Sequence, residues 1–166
     1  MTVTLTLAKQ HLEYEDADRD VLINQYIAAS VAWVENYTSR PAPSRSVVEK
    51  FDSFGSFIQL KKSTLVSVTS LSYLDANQAV QTLTGFRVND QRLYPPIGGW
   101  PSIAEYSQIT VTYVAGFVTV PADIMSAQLL LIGHWFQNRE AATERPAQSI
   151  ELSVMSLCEP YRDIRV

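Results

Sequence analysis

Apolar residues recur at helical spacing toward both ends of the chain and at every second position through its middle. Leu22, Ile23, Tyr26, Ile27, Ser30, Trp33, Val34 and Tyr37 fall on one broad face of a helix predicted over Asp18–Tyr37. A shorter helix precedes it, capped by Thr4 or Thr6 and ending near Glu13. The run Glu15-Asp16-Ala17-Asp18 separates the two and puts acidic groups at the second N-terminus, where the helix dipole favours them. The long helix stops at Thr38-Ser39-Arg40, because the residue before Pro41 avoids helical dihedrals. Its back carries Ala28, Ala29 and Ala32, which either simply favour helix or form a second, closely approached face at a subunit contact.

From Val47 to Ala115 the period drops to two. Val47, Glu49 and Phe51 alternate with Val48, Lys50 and Asp52, and Phe57–Leu60 follows a turn at Gly55. In the next run Val66, Val68 and Ser70 are read as opposing Ser67, Thr69 and Leu71, up to Tyr73-Leu74. Asp75-Ala76-Asn77-Gln78 is a hairpin turn, returned by Ala79–Leu83. Phe86–Val88 and Arg92–Tyr94 add short edge strands. The stiff loop Pro95–Pro101 holds a Trp100 that needs burial, and Gln108–Val114 completes the sheet with Ile109, Val111 and Tyr113 on one side. Connections this short predict mostly antiparallel pairing.

The segment Val111–Glu140 leaves the last strand, turns at Gly116 and enters a helix at Pro121 that is apolar on nearly every side through Asn138. Such a helix has to be covered, partly by its own domain and partly by another copy. A polar break (Arg139–Gln148) leads to a final segment in which Ile150, Val154, Leu157 and Cys158 fit a helix, while Ile150, Leu152 and Val154 also fit a strand; Pro160 ends either. The expected class is α+β, in one domain. N-terminal helices (1–45) and C-terminal helices (118–166) pack together, with an inserted, mostly antiparallel β block (46–117).

Composition narrows the functions open to this fold. Charged residues make up 18% of the chain, below the ~25% of an average soluble domain, as expected if partners cover much of the surface. With a net charge of −4 and no clustered Lys or Arg, the sequence gives no reason to expect that duplex DNA is held, though DNA could pass nearby. The lone Cys158 rules out an internal disulfide framework. Met1–Leu12 lacks the pattern of a secretory signal, and the longest apolar run, Leu129–Gly133, falls far short of the ~20 residues a membrane span needs. A soluble protein, used without secretion or membrane contact, is expected.

Candidate chemistry is sparse. His11 and His134 are the two histidines, and there is no phosphate loop, paired-histidine metal motif or CxxC spacing. Cys158 with a histidine would be the ingredients of a nucleophile and base, but its amphipathic setting favours a packed thiol. His134 shares a helix face with Ala127, Leu131 and Trp135, which favours a hydrogen-bonded core histidine over a ligand. Glu13, Glu15, Asp16, Asp18 and Asp20 lack the central glycine and terminal Glu of a Ca²⁺ loop, so they read as a solvated helix start. Tyr94, Trp100 and Tyr106 around the Pro/Gly loop would stack a sugar or base, or else anchor a core or interface. No catalytic, cofactor or metal site is expected.

Several segments together resemble the head–tail connector (adaptor, or head-completion) proteins of tailed bacteriophages and prophages, in the longer form with a β insertion. They are Leu7-Ala8-Lys9-Gln10-His11-Leu12, Tyr26-Ile27-Ala28-Ala29, Trp33-Val34-Glu35-Asn36-Tyr37-Thr38-Ser39-Arg40, Tyr73-Leu74-Asp75, Gln81-Thr82-Leu83, Thr110–Pro121, Leu130–Glu140 and Pro160-Tyr161-Arg162. The resemblance implies a structural virion protein, not an enzyme. It would be made in the bacterial host cytoplasm and built into the neck as a ring of about a dozen copies. Such a ring needs two different faces on each subunit. Its implied partners are itself, the portal protein and the downstream neck or tail-completion protein. DNA passes through without specific binding, helped by an acidic wall that repels it. On this reading Ala28, Ala32, Trp33, Leu129, Ile132 and Phe136 lie at the subunit interface. Tyr161, Arg162 and Arg165, on a loose terminus, would contact the portal, and Asp75, Asn77 and Gln78 the tail-side partner. The competing readings are a monomeric module binding a glycan or peptide through the β block and Trp100 loop, a small hydrolase using Cys158, and another neck or tail-completion protein.

Overall fold

The structure, a computed structural model, describes residues 2–105, 107–138 and 148–163. The chain divides into two compact units: Met1–Pro43 with Thr119–Val166, and Ser44–Val118.

The first unit is helical. Helix α1 (Leu5–Leu12) is capped by Thr4, not Thr6: Thr4 Oγ1 accepts the Leu7 N–H at 3.2 Å, and the helix ends at Glu13 in left-handed conformation. Helix α2 (Asp20–Thr38) starts two residues later than the sequence suggests. The Asp18 carboxylate is taken by the Tyr14 hydroxyl instead of capping, and Asp20 is held by Lys9 Nζ at 2.7 Å. Helix α3 (Ala122–Gln137) follows, and then α4 (Gln148–Cys158), which runs into a short 3₁₀ turn, Glu159–Tyr161. The final segment is therefore helical; most of the polar break, residues 139–147, lies outside the described residues.

Val3, Ala8, Ile23 and Ile132 form the centre of this unit, with Leu12, Tyr26, Leu129 and Phe136 packed around them. Gly133 leaves room for the His11 side chain of α1, since a Cβ there would stand 3.3 Å from His11 Nε2. Val154 and Cys158, one turn apart, are the buried side of α4, which packs on α3.

The second unit is all β. Strands β1 (Arg45–Phe51), β3 (Leu65–Leu74), β4 (Val80–Thr82) and β7 (Ile109–Ala115) form a four-stranded antiparallel sheet in the order β1-β7-β3-β4. Strands β2 (Ile58–Gln59), β5 (Arg87–Asn89) and β6 (Arg92–Tyr94) form a second antiparallel sheet in the order β2-β6-β5. The central strand β7 keeps strict alternation, with Ile109, Val111, Tyr113 and Ala115 buried.

Its register places Val47 and Phe51 of β1, and Leu65, Val68 and Leu71 of β3, on the same face. Phe54, Ile58, Leu60 and Leu93 close over that face to complete the core. Trp100 stacks on Phe54 with ring centroids 4.6 Å apart, so the loop tryptophan is an anchor of this core.

The reading of β3 needs correction. Two register shifts, between Leu65 and Ser67 and between Val68 and Ser70, insert an extra residue each. Leu65, Val68 and Leu71 therefore share the core face, and Ser67, Ser70 and Ser72 the other.

Candidate assembly surfaces

Nothing in the described residues assembles reactive chemistry. No group of three or more His, Cys, Asp or Glu there is placed to hold a metal ion, and no described helix is long and apolar enough to cross a membrane. Two members of the acidic run are instead used internally, Asp18 by Tyr14 and Asp20 by Lys9. His134 Nδ1 lies 3.2 Å from the Asn138 side-chain amide at the end of α3.

Cys158 is fully buried, and burial pushes its thiol up to about 11. A raised folded-state pKa favours the neutral thiol. Its contribution to stability is complete below the ordinary thiol range and fades as pH climbs toward 11. Native protein at pH 8 is therefore expected to resist a thiol-reactive disulfide reagent and to release one equivalent of chromophore only after unfolding. Rapid labelling of the folded chain would contradict this burial.

What the molecule does offer is surface. Ala28 and Ala32 are exposed on α2, in one stripe with Val21, which is 74% exposed. Trp33 is half-buried and stacks on Tyr37 with centroids 5.3 Å apart. On α3, Leu129 and Phe136 are half-buried against the unit's own core, and Phe136 packs on Tyr14. Ile132 has no exposed surface, so as folded it cannot contact a neighbouring chain. The core residues of the helical unit have claimed it, whereas Leu130, two positions earlier on α3, is exposed.

The expected loose terminus is also corrected as far as Asp163. The Tyr161 hydroxyl donates to Asp123 at 3.1 Å, and the Asp163 N–H to the Thr38 carbonyl at 3.1 Å. Arg162 lies over the Tyr37 ring at 5.3 Å, while the Tyr37 hydroxyl donates to Glu159. Arg165 lies outside the described residues.

In the β unit, the Asp75–Gln78 tip is built around one carboxylate. Asp75 accepts the Gln81 side-chain amide at 2.9 Å, the Ala79 N–H at 3.0 Å and the Asn77 N–H at 2.8 Å. These bonds, that of Gln81 foremost, hold the Asp75 carboxyl below its usual range. The tip is thus tightened above the ordinary carboxylate pKa and loosens as pH falls through the lowered one. Gln78 adopts left-handed backbone, and Val80 just beyond it is 74% exposed. The open face of the larger sheet carries a groove of about 830 Å³. Its floor includes Lys50, Thr110 and Ser72, aligned across three strands, and Val80 and Ile103 line it as well.

One surface went unread in the sequence. The outer face of the smaller sheet gathers Arg87, Arg92 and Tyr94, with Phe57 beside them. The alternation Arg87-Val88-Asn89 and Arg92-Leu93-Tyr94 contains the signal, but only the strand pairing shows that both arginines share a side.

No family model and no curated protein sequence matches this chain. Solved structures share its fold over nearly its whole length, among them the following three. A chain in the neck of an empty gene transfer agent (GTA) particle, computed with C6 symmetry, is 24% identical, with a TM-score of 0.82 over 99% of this chain and 91% of that one. A chain in the virion of a native GTA particle is 22% identical, with a TM-score of 0.80 over 99% and 91%. A chain in the neck of a native GTA particle, computed with C12 symmetry, is 22% identical, with a TM-score of 0.75 over 100% and 94%. These likenesses establish a shared fold, including its β unit as well as its helices.

Proposed function

We propose that this chain is a structural subunit of a ring in the neck of a tailed phage or phage-like particle, joining the portal to the tail and continuing the DNA channel. The observation that carries the reading is the end-to-end likeness to chains of two GTA neck structures, one computed with sixfold and one with twelvefold symmetry. The physical character of the chain supports it. It has a low charged fraction, a net charge of −4, exposed apolar residues in both units, and no cluster of metal-ligand residues among those described. An acidic wall lets DNA pass by repulsion.

In this arrangement the exposed α2 stripe with Ala28 and Ala32, together with Trp33 and the parts of Leu129 and Phe136 on α3 that stay accessible, faces a neighbouring subunit. Tyr161 and Arg162 face the portal. The rigid hairpin tip at Asp75, Asn77 and Gln78 faces the tail-side partner. Trp100 is a poor basis for the rival ligand-binding module, because Phe54 covers one of its faces.

Light scattering on the purified chain, alone and co-expressed with the portal protein of its own particle, tests the proposal. A closed ring of about a dozen copies, free or on the portal, is expected from a heterologous interface that closes. A monomer that ignores the portal would overturn it. Deleting 75–78 is expected to leave that ring intact while blocking tail attachment in particles.

A further inference from the structure

We infer that the outer face of the β2-β6-β5 sheet is where one subunit grips the next, and that it receives the acidic α1–α2 corner of a second copy of this chain. The inference rests on the ring reading above and names the surfaces that would close it.

Strand pairing turns Leu93 and Ile58 inward and Arg87, Arg92 and Tyr94 outward. Arg92, Phe57 and Tyr94 are held in place on that face. Arg92 lies 4.9 Å above the Phe57 ring, its Nε donates to Gln59 Oε1 at 2.9 Å, and Phe57 packs on Tyr94 at 5.8 Å. Both arginines remain exposed, and so does Phe57. Arginine and aromatic side chains are the groups enriched at the energetic centres of protein interfaces. Because Arg92, Phe57 and Tyr94 are already ordered, little of their side-chain freedom is lost when a partner arrives. The face is cationic and aromatic, so its complement is acidic and offers some apolar or aromatic surface.

The chain itself carries that complement. Charge is divided unevenly between the two units. The helical unit has seven Lys or Arg against twelve Asp or Glu, a net of −5, and the β unit has six against five, a net of +1. Glu13, Glu15 and Asp16 are exposed together at the α1–α2 corner, around the half-buried Tyr14. A cavity of about 770 Å³ opens there, with Leu5 and Tyr14 in its lining. A closing ring needs two unlike, complementary faces on every subunit. An arginine–aromatic sheet face meeting an acidic, tyrosine-lined corner has that form, and each copy carries one of each.

The test is charge reversal and rescue in the full chain. Self-association of wild type, of Arg87→Glu/Arg92→Glu and of Glu13→Lys/Glu15→Lys would be followed by sedimentation over a concentration series at low and high salt. Each variant alone is expected to associate at least about tenfold more weakly than wild type. An equimolar mixture of the two is expected to recover wild-type association, because both alternating contacts then pair opposite charges. Wild-type association is expected to weaken with salt. Rescue by mixing also shows that both variants fold.

Variants that assemble like wild type would overturn the inference and leave the ring reading standing. Loss without rescue, or a wild type that stays monomeric throughout the series, would also overturn it. Binding of a single-stranded oligonucleotide that vanishes in Arg87→Glu/Arg92→Glu while assembly persists would assign the face to nucleic acid instead.

Discussion

Replacing Tyr113 with alanine is expected to destabilise the β unit by ~3–5 kcal/mol, enough to unfold a marginal domain. Tyr113 is fully buried on the central strand β7, and it joins two systems that are otherwise separate. Its ring belongs to the core formed by Leu71, Val111 and Leu93. Its hydroxyl donates to Glu49 Oε1 at 2.7 Å and accepts the Lys62 N–H at 3.2 Å, while Glu49 Oε2 accepts the Lys61 N–H at 3.0 Å. One phenol thus fixes the 61–62 backbone to the sheet through a carboxylate on β1.

Tyr113→Phe keeps the ring and removes the hydroxyl. It leaves the Lys62 N–H without this acceptor, at a cost of ~1–3 kcal/mol. Denaturant melts of the two variants separate packing from hydrogen bonding. Equal losses in both would mean that the hydroxyl network carries the whole effect. No loss in Tyr113→Phe would mean that it carries none.

Tyr113 also shows what the sequence made legible. Strict alternation over Ile109–Val114 was enough to place its side chain with Ile109 and Val111, because a strand buried on one face repeats with period two. The same rule misread β3. Its two bulges each add a residue, and an added residue reverses the face of everything beyond it. Nothing in Leu65–Leu74 alone marks those bulges, since Val and Thr suit a regular strand as well. The division of the block into two sheets was equally hidden, because β2, β5 and β6 are too short to show a period.

At the candidate assembly surfaces, helix existence was legible and helix facing was less so. Thr4, a sequence-visible cap, performs as its chemistry predicts, whereas Asp18 is diverted by a tyrosine four residues earlier. The apolar α3 needs cover, expected partly from its own domain and partly from another copy. In the structure α1, α2 and α4 all pack on it, so its own unit covers much of what periodicity left unassigned. The alanine stripe of α2 stays exposed. Composition could not decide this, because alanine favours helix formation whether or not a neighbour approaches.

That difference yields the second large expected effect, which separates core from interface. Ile132→Ala removes a fully buried side chain between Ala8 and Ile23, so it is expected to cost ~2–5 kcal/mol of stability in the helical unit. Ala32→Arg changes an exposed position on α2 to another good helix former, so its melt should stay within about 0.5 kcal/mol of wild type. If the α2 stripe lies against a neighbour in the ring, the same substitution drives a long charged side chain into a close contact and is expected to abolish ring formation. The two variants should therefore be mirror images. Ile132→Ala melts early but forms rings at temperatures where it stays folded, and Ala32→Arg melts normally but stays monomeric. Rings that form unhindered in Ala32→Arg, and also in Ala28→Arg, would remove α2 from the interface. The contact between subunits would then have to lie on the exposed side of α3 near Leu130, or in the β unit.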